Sequence, residues 1–195
     1  MISIVGPNPS EVSHQNILDF MAVRKAEFVD RLGWDLVHTS QVEWDEYDLP
    51  NAQFIVAYED GKCIGGARLM RTDSITPRRQ GQDLSYMLAD FLSGALPVDF
   101  DPAAMKAELH PSADLWEMTR FVGSPHITRV ILARANEYLA EVGAQSVLTL
   151  SPRLMPLALR RLGYKVSVLS KPVTFDGLEY VALRTDIRSD MRRTG

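Results

Sequence analysis

The sequence predicts an α/β fold, a single domain with a mixed β-sheet and helices on both faces of the sheet. Strand-like and helix-like segments alternate through the second half of the chain, which implies some parallel pairing of strands. Asp-Gly pairs at residues 60–61 and 176–177 indicate hairpins, and therefore antiparallel pairing, near both ends. The chain has 195 residues, 46% of them hydrophobic, so it is long enough to bury its own core. We therefore expect one domain over residues 1–195, with an irregular insert at 71–114.

The first predicted element is a helix over residues 16–32. Its apolar residues recur at helical spacing: Ile17, Met21, Phe28 and Leu32. Three polar residues before or at its start are candidate N-caps: Ser10, Ser13 and Asn16. Gly33 follows, as expected just past a helix end. Arg24 and Phe28 lie four residues apart, so they share one face of this helix.

A β-hairpin is predicted next. Residues 53–58 have the pattern of a strand, an Asp-Gly turn follows, and residues 62–70 form the return strand. Alternation places Arg68 on a face that otherwise carries small or apolar residues, so a charge is expected inside a buried strand. The pair Gly65 and Gly66 predicts a bulge or a close backbone approach. It is not a phosphate loop, because no Gly-x-Gly-x-x-Gly pattern is present.

The second half of the chain is easier to assign than the insert. Prolines and glycines interrupt residues 71–114, where only a short apolar helix at 85–92 is predicted. The later elements are strands at 115–122, 145–151 and 164–170, helices at 127–142 and 152–162, and a hairpin at 174–183.

Composition excludes several classes of protein. The formal net charge is −4 and the sequence pI about 5.6, which gives no support to a nucleic-acid partner. The single cysteine, Cys63, cannot form an intramolecular disulfide and suits a reducing compartment. No apolar run approaches the roughly 18 residues that span a bilayer, and the first residues lack the pattern of a secretory signal. We expect a cytoplasmic protein without a membrane partner.

The stretch VEWDEYDLP, residues 42–50, crowds four carboxylates among aromatic residues: Glu43, Asp45, Glu46 and Asp48. It could be a solvated acidic turn, a metal site or a pocket for a cation. A metal site is disfavoured, because the stretch has no turn glycine and the four histidines of the chain are scattered. A buried arginine needs a carboxylate partner. Arg24 and Arg68 therefore favour a pocket built with Asp45 and Asp48, whose aromatic neighbours can attract a cation.

The predicted strand LWEMTRF, residues 115–121, carries two charges in an apolar context. Alternation places Glu117 and Thr119 on one face and Arg120 on the other. One explanation is an edge strand with one face exposed to solvent. If Glu117 and Arg120 instead line one cavity, a β-bulge must lie near residues 118–119. In that case Glu117 is the best candidate for a general base.

Taken in order, five segments of the chain resemble the LuxI-type acyl-homoserine lactone synthases, which make the autoinducers of bacterial quorum sensing: RKAEFVDRLGW, WDEYD, GGARLM, YMLADF and WEMTRF. The resemblance covers about residues 20–122 and extends more weakly to the C-terminal hairpin. Eight characteristic residues of the family are in register: Arg24, Phe28, Trp34, Asp45, Asp48, Arg68, Glu117 and Arg120. The chain departs from the family where Arg71 and Thr72 replace the usual Pro-Thr, and where Thr119 replaces a serine.

The resemblance implies a GNAT-like acyltransferase fold. It also implies an N-acyl-homoserine lactone made from S-adenosylmethionine and an acyl thioester, with release of methylthioadenosine. The acyl donor would be acyl-ACP, on acyl carrier protein, or acyl-CoA, and no metal or other cofactor is expected. The expected catalytic residues are Glu117, Arg120, Asp45 and Asp48. The expected substrate-binding residues are Arg24, Phe28, Trp34, Arg68, Met118 and Thr119.

Two other functions stay open from the sequence: a GNAT-type N-acyltransferase that acylates another amine without forming a lactone, and a catalytically inactive ligand-binding relative. Residues 121–130 lack the glycine-rich pyrophosphate loop expected of the first. An apolar tunnel for the acyl chain is expected around Met118, Leu148, Leu150, Met155 and Leu159. Basic residues near the C-terminus form either a docking surface for an acidic carrier protein or an ordinary solvated face: Arg153, Arg160, Arg161, Lys165 and Lys171.

Overall fold

A computed structural model of the chain describes residues 1–48, 50–75, 77, 83–96, 101–175 and 177–188. Within these residues the strands are β1 (Ile2–Val5), β2 (Gln53–Glu59), β3 (Lys62–Arg71), β4 (Leu115–Val122), β5 (Ser146–Pro152), β6 (Val166–Val168), β7 (Val173–Phe175) and β8 (Leu178–Asp186). The helices are α1 (His14–Arg24), α2 (Met87–Ser93), α3 (Pro125–Glu141) and α4 (Met155–Arg161). A π-helical segment, Lys25–Arg31, continues α1. None of the helices in the described ranges is long and apolar enough to cross a membrane.

The strands form a mixed sheet in the order β1-β2-β3-β4-β5-β8-β6, and β7 also pairs with β8. Strands β4 and β5 are parallel. The pairs β1–β2, β2–β3, β5–β8, β6–β8 and β7–β8 are antiparallel. The predicted α/β class with a mixed sheet is therefore confirmed. Strand β1 was not predicted, because four residues are too few to show a clear alternation.

The chain divides into two compact units. The first contains Met1–Leu69 and Arg120–Tyr138, and the second contains Met70–Thr119 and Leu139–Gly195. The single domain expected over residues 1–195 stays a prediction.

The first unit begins with β1 and α1, and it confirms the first predicted helix. Ser13 is the N-cap, and its hydroxyl accepts a hydrogen bond from the backbone N–H of Asn16 at 3.2 Å. Phe20 of α1 packs edge-on against Phe54 of β2, with ring centroids 6.4 Å apart. Gly33 follows the π-helical segment with φ +73°, a left-handed conformation that favours glycine.

The hairpin of β2 and β3 is also confirmed. Asp60 and Gly61 both have positive φ, at 49° and 76°, as a two-residue type I′ turn requires. A Cβ atom on Gly65 would lie 2.4 Å from the backbone oxygen of Val122. One on Gly66 would lie 2.5 Å from the backbone oxygen of Ile55. The predicted close backbone approach is therefore confirmed, and the register of the hairpin also shifts next to Gly65.

In the second unit, β4 pairs with β5 only over residues 115–117, whereas β5 pairs with β8 along its whole length. The short helix predicted in the insert is α2. Thr72, at the start of the insert, is buried, and its hydroxyl lies 2.9 Å from the backbone oxygen of Leu115. It also accepts a hydrogen bond from the N–H of Ser112 at 3.0 Å. The hydrogen bonds of Thr72 thus connect the start of the insert to its end. Other parts of the predicted insert, 71–114, lie outside the described residues.

Candidate active site

Three arginines and three carboxylates of the first unit form one buried group, here called the charge cluster: Arg24, Arg68, Arg120, Glu43, Asp45 and Asp48. The arginines come from α1, β3 and β4, and the carboxylates come from the acidic stretch at 42–48. Three positive and three negative charges make the cluster formally neutral, which is how so many charges can be buried together.

Asp48 joins two of the arginines. Nη1 and Nη2 of Arg24 donate to its two oxygens at 2.7 and 2.9 Å, a bidentate pair. Nη1 of Arg68 donates to Asp48 Oδ1 at 2.8 Å. Asp45 pairs with Arg68 through both oxygens and with Arg120 Nη2 at 2.8 Å. The two predicted aspartates are therefore at the centre of the cluster, and arginines hold their carboxylates in place.

Glu43 is a full member of the cluster, which the sequence did not make clear. It is 0% exposed and accepts a hydrogen bond from Arg24 Nε at 2.6 Å, whereas Glu46 is exposed. Its other oxygen, Oε1, lies 3.4 Å from Arg120 Nε. The signal that could have found it is alternation, because residues 43 and 45 of an extended chain face the same side.

Burial and charge act against each other in the cluster. Burial raises the pKa of Asp45, but Arg68 and Arg120 outweigh it and hold that pKa well below its usual range. Burial lowers the pKa of Arg68, but Asp45 and Asp48 outweigh it and the pKa is raised. For Arg120 burial prevails over Asp45 and Glu43, so its pKa is lowered. Arg120 is thus the least well compensated arginine of the cluster.

The backbone of β4 turns Arg120 toward the cluster. Its φ is +52°, a left-handed conformation that is rare for a residue with a side chain. A regular strand would place Arg120 on the opposite face from Glu117 and leave no reason for it to reach Asp45. The irregular residue in the structure is Arg120 itself, one position beyond the bulge predicted at 118–119.

Aromatic rings support the cluster. Phe28 and Trp34 are stacked, with centroids 5.0 Å apart and planes at 13°. The guanidinium carbon of Arg120 lies 5.6 Å from the centroid of Phe28, and that of Arg68 lies 5.5 Å from the centroid of buried Tyr47. Of the aromatic residues within the acidic stretch, Tyr47 is buried beside Arg68, whereas Trp44 is exposed.

Glu117 belongs to the second unit and is buried. Its carboxylate oxygens accept hydrogen bonds from the backbone N–H groups of Met87 and Leu88, both at 2.8 Å. These are the first residues of α2, so Glu117 caps that helix from a neighbouring strand. Tyr86 stands at the N-cap position, and its side chain makes no capping bond. Glu117 was predicted as a base, and its structural role as a cap was missed.

The other predicted positions of the second unit lie on β4, β5 and α4. Met118 is buried and Thr119 is half-buried. Of the residues expected in an acyl tunnel, Leu148 and Leu159 are also buried. Their contact with an acyl chain stays a prediction.

Two of the basic residues near the C-terminus already have acidic partners. Arg153 pairs with Glu179 at 2.7 Å, and Lys165 pairs with Asp186 at 3.0 Å. Across the described ranges, no three His, Cys, Asp or Glu side chains are arranged to hold a metal ion.

The mixed sheet with its helices defines the class of the fold, a GNAT-like acyltransferase fold, which does not by itself show an activity. Within that class, the sequence profile described as autoinducer synthase matches residues 8–193, nearly the whole chain. The chain therefore belongs to the autoinducer synthase family, as its resemblance implied.

Relatives and solved structures agree with this assignment. The acyl-homoserine-lactone synthase of Acinetobacter nosocomialis is 27% identical over 184 residues, which are 86% of this chain and 90% of the relative. The synthase of Pseudomonas aeruginosa is 27% identical over 191 residues, 94% of this chain and 85% of the relative. The crystal structure of TofI in a ternary complex with an inhibitor and MTA superposes with a TM-score of 0.74 at 26% identity. It covers 96% of this chain and 91% of TofI.

Proposed function

We propose that the chain makes an N-acyl-homoserine lactone from S-adenosylmethionine and an acyl thioester, and releases methylthioadenosine. The observation that carries the proposal is the charge cluster with its aromatic support. Its six members include all five of the charged residues that the family resemblance marks in the first unit. Family membership and the activity of the relatives support the same reaction.

In this proposal the charge cluster binds S-adenosylmethionine. The substrate carries a sulfonium, an α-ammonium and a carboxylate. Asp45 and Asp48 attract the two cationic groups, and Trp34 adds cation–π attraction. Arg24 and Arg68 fix the aspartates. Both guanidinium groups are buried and already donate to Glu43, Asp45 and Asp48, so the substrate carboxylate is not assigned to them. Because the ion pairs hold the aspartates before substrate arrives, little reorganisation is needed at the reaction.

Glu117 is the proposed general base. The α-ammonium has to lose a proton before its nitrogen can attack the thioester carbonyl carbon, and Glu117 takes that proton directly or through a water. The new C–N bond forms as the C–S bond breaks and the thiol leaves. The carboxylate of the acylated product then attacks the carbon next to the sulfonium, and methylthioadenosine leaves. This ring closure depends mainly on how the carboxylate is positioned relative to the carbon that it attacks.

The acyl donor is either acyl-ACP or acyl-CoA. The chain is expected to act in the cytoplasm, without a metal, an added cofactor, a nucleic acid or a membrane. The acyl group would lie against Met118 and Thr119 and the apolar residues of the proposed tunnel. Among the basic residues near the C-terminus, Arg161 and Lys171 are exposed and would be the first to test for docking of an acidic carrier.

The direct test is incubation with S-adenosylmethionine and a panel of acyl-ACP and acyl-CoA donors, followed by mass spectrometry. We expect one donor class to give a lactone and methylthioadenosine in equal amounts. An acylated amine without methylthioadenosine would indicate an N-acyltransferase of another kind. No turnover with any donor, from folded protein that still binds S-adenosylmethionine, would indicate a binding relative.

A further inference from the structure

The position of Phe28 is set by an unusual segment of helix. Residues 25–31 are π-helical, and the segment follows directly on α1, whose last residue, Arg24, is a member of the charge cluster. Short π-helical insertions are rare and often lie at functional sites. Phe28 is the buried residue of this segment. The segment therefore places the ring of Phe28 in the interior, beside the charge cluster.

Trp34 is folded back onto that ring by the turn that ends the segment. Gly33 takes the left-handed conformation, and its N–H bonds to the backbone oxygen of Val29 at 3.1 Å. The N–H of Trp34 then bonds to the backbone oxygen of Phe28 at 2.9 Å. These bonds fix the near-parallel stack of the two rings. The position of the Phe28 ring is thus fixed both by the backbone of its own segment and by the stacked ring of Trp34.

Arg120 is the member of the cluster that most needs such a support. Its left-handed backbone costs free energy for a residue with a Cβ atom. Its Nε is buried and makes no hydrogen bond to any residue that the structure describes. Burial also lowers its pKa, against the opposing effect of Asp45 and Glu43. Its guanidinium lies within cation–π distance of Phe28.

We propose that Phe28 is a positioning residue for Arg120: the stacked pair of Phe28 and Trp34 holds the Arg120 guanidinium against Asp45 and Glu43 by a cation–π contact, and Phe28 affects turnover through Arg120. The inference rests on the proposed catalytic role of Arg120. It differs from the role expected for Phe28 from the family resemblance, which was contact with substrate. A protein cation already occupies cation–π distance of this ring, so the ring is not needed to bind the substrate cation.

The contact can be weakened without a change of shape. Replacement of Phe28 by mono-, di- and trifluorinated phenylalanine lowers the negative electrostatic potential of the ring face with each fluorine and nearly keeps the size of the ring. We expect kcat for lactone formation to fall with each fluorine, to about 10-fold in total, which corresponds to about 1.4 kcal/mol and lies within the usual range of a cation–π contact. KM for S-adenosylmethionine should change less than kcat. Phe28→Trp should keep activity and Phe28→Leu should lose it.

The same series in an Arg120→Met background, measured on the residual turnover of that variant, identifies the partner. If Phe28 acts through Arg120, fluorination has no further effect once the guanidinium is gone. A flat series in the wild-type background would overturn the proposal. A series that falls equally with and without Arg120 would also overturn it, since Phe28 would then act on substrate directly.

Failure of the proposed catalytic role of Arg120 would look different. In that case Arg120→Met would keep full turnover. The contact itself would still appear as a coupling between Phe28 and Arg120 in thermal unfolding of the two single variants and the double variant. If the unfolding experiment shows no coupling between Phe28 and Arg120, and kcat does not fall with fluorination of Phe28, the inference is wrong whatever the role of Arg120.

Discussion

At the scale of single residues, Asp48 shows why the acidic stretch is not an ordinary solvated turn. One carboxylate meets two buried arginines, Arg24 and Arg68, and also accepts a hydrogen bond from the backbone N–H of Asp45 at 2.9 Å. An intact buried ion pair contributes little net stability, because desolvation offsets the attraction. Removal of one partner is costly, since the other charge stays buried and unpaired. The cluster is therefore sensitive to loss of any one charge.

Asp48→Asn is expected to abolish turnover and also to lower the free energy of unfolding by about 3–5 kcal/mol, because it leaves the cluster with one uncompensated positive charge. Urea unfolding and the lactone assay measure the two effects. Asp35→Asn, at an exposed aspartate of the same unit, is the matched control and should change neither. Full activity in the Asp48 variant would remove Asp48 from the site.

At the scale of elements, α2 depends on a residue distant in sequence. A helix leaves its first N–H groups without partners, and a side chain at the N-cap usually accepts from one of them. Tyr86 cannot do this, and Glu117 of β4 accepts from two of these groups instead. A proposed base and a helix cap are therefore the same carboxylate. The two roles have to be separated by experiment.

Glu117→Gln should separate them. The amide keeps one acceptor oxygen and presents an NH2 group to the second N–H, so we expect a loss of about 1–3 kcal/mol in unfolding free energy. If Glu117 is also the base, kcat should fall by about 100-fold or more at a temperature where the variant is fully folded. Glu59→Gln, at an exposed position, should leave both quantities unchanged. Activity that returns once the variant is folded would leave Glu117 with the capping role alone.

At the scale of the whole molecule, the ion pairs of buried Asp45 make the stability of the protein depend on pH. The pKa of Asp45 in the folded protein is lower than its ordinary value of 3.8. The unfolded chain therefore binds a proton near pH 3.8 that the folded protein does not bind. The contribution of Asp45 is fully present above about pH 5 and is lost as the pH falls through 3.8 toward the folded pKa.

We expect the free energy of unfolding to begin to fall below about pH 5 and to fall most steeply below pH 3.8, and that of Asp45→Asn to fall less steeply over the same range. Urea unfolding at several pH values gives the two slopes, and the comparison does not depend on the lower starting stability of the variant. Equal slopes would show that Asp45 does not titrate as the ion pairs with Arg68 and Arg120 require.

Much of the fold follows from local pattern. The Asp60-Gly61 turn, the Gly65-Gly66 contact and the helix that ends before Gly33 are each determined by residues close together in the chain. Strand β1 and the π-helical form of residues 25–31 were not predicted. The first is too short for a pattern, and the second differs from an α-helix only in hydrogen bonding that sequence spacing does not reveal.

The sequence by itself determined the family, the mixed α/β class and the identity of the charged residues apart from Glu43, because eight side chains in register carry that information without any knowledge of distance. Only the tertiary structure decided how they are paired. That Glu43 is buried while Glu46 is exposed, that Arg120 turns toward Asp45, and that Glu117 caps α2 all depend on contacts between residues about 20 to 80 positions apart. Such contacts are set by packing and by the need to pair every buried charge, and neither is visible in a local pattern.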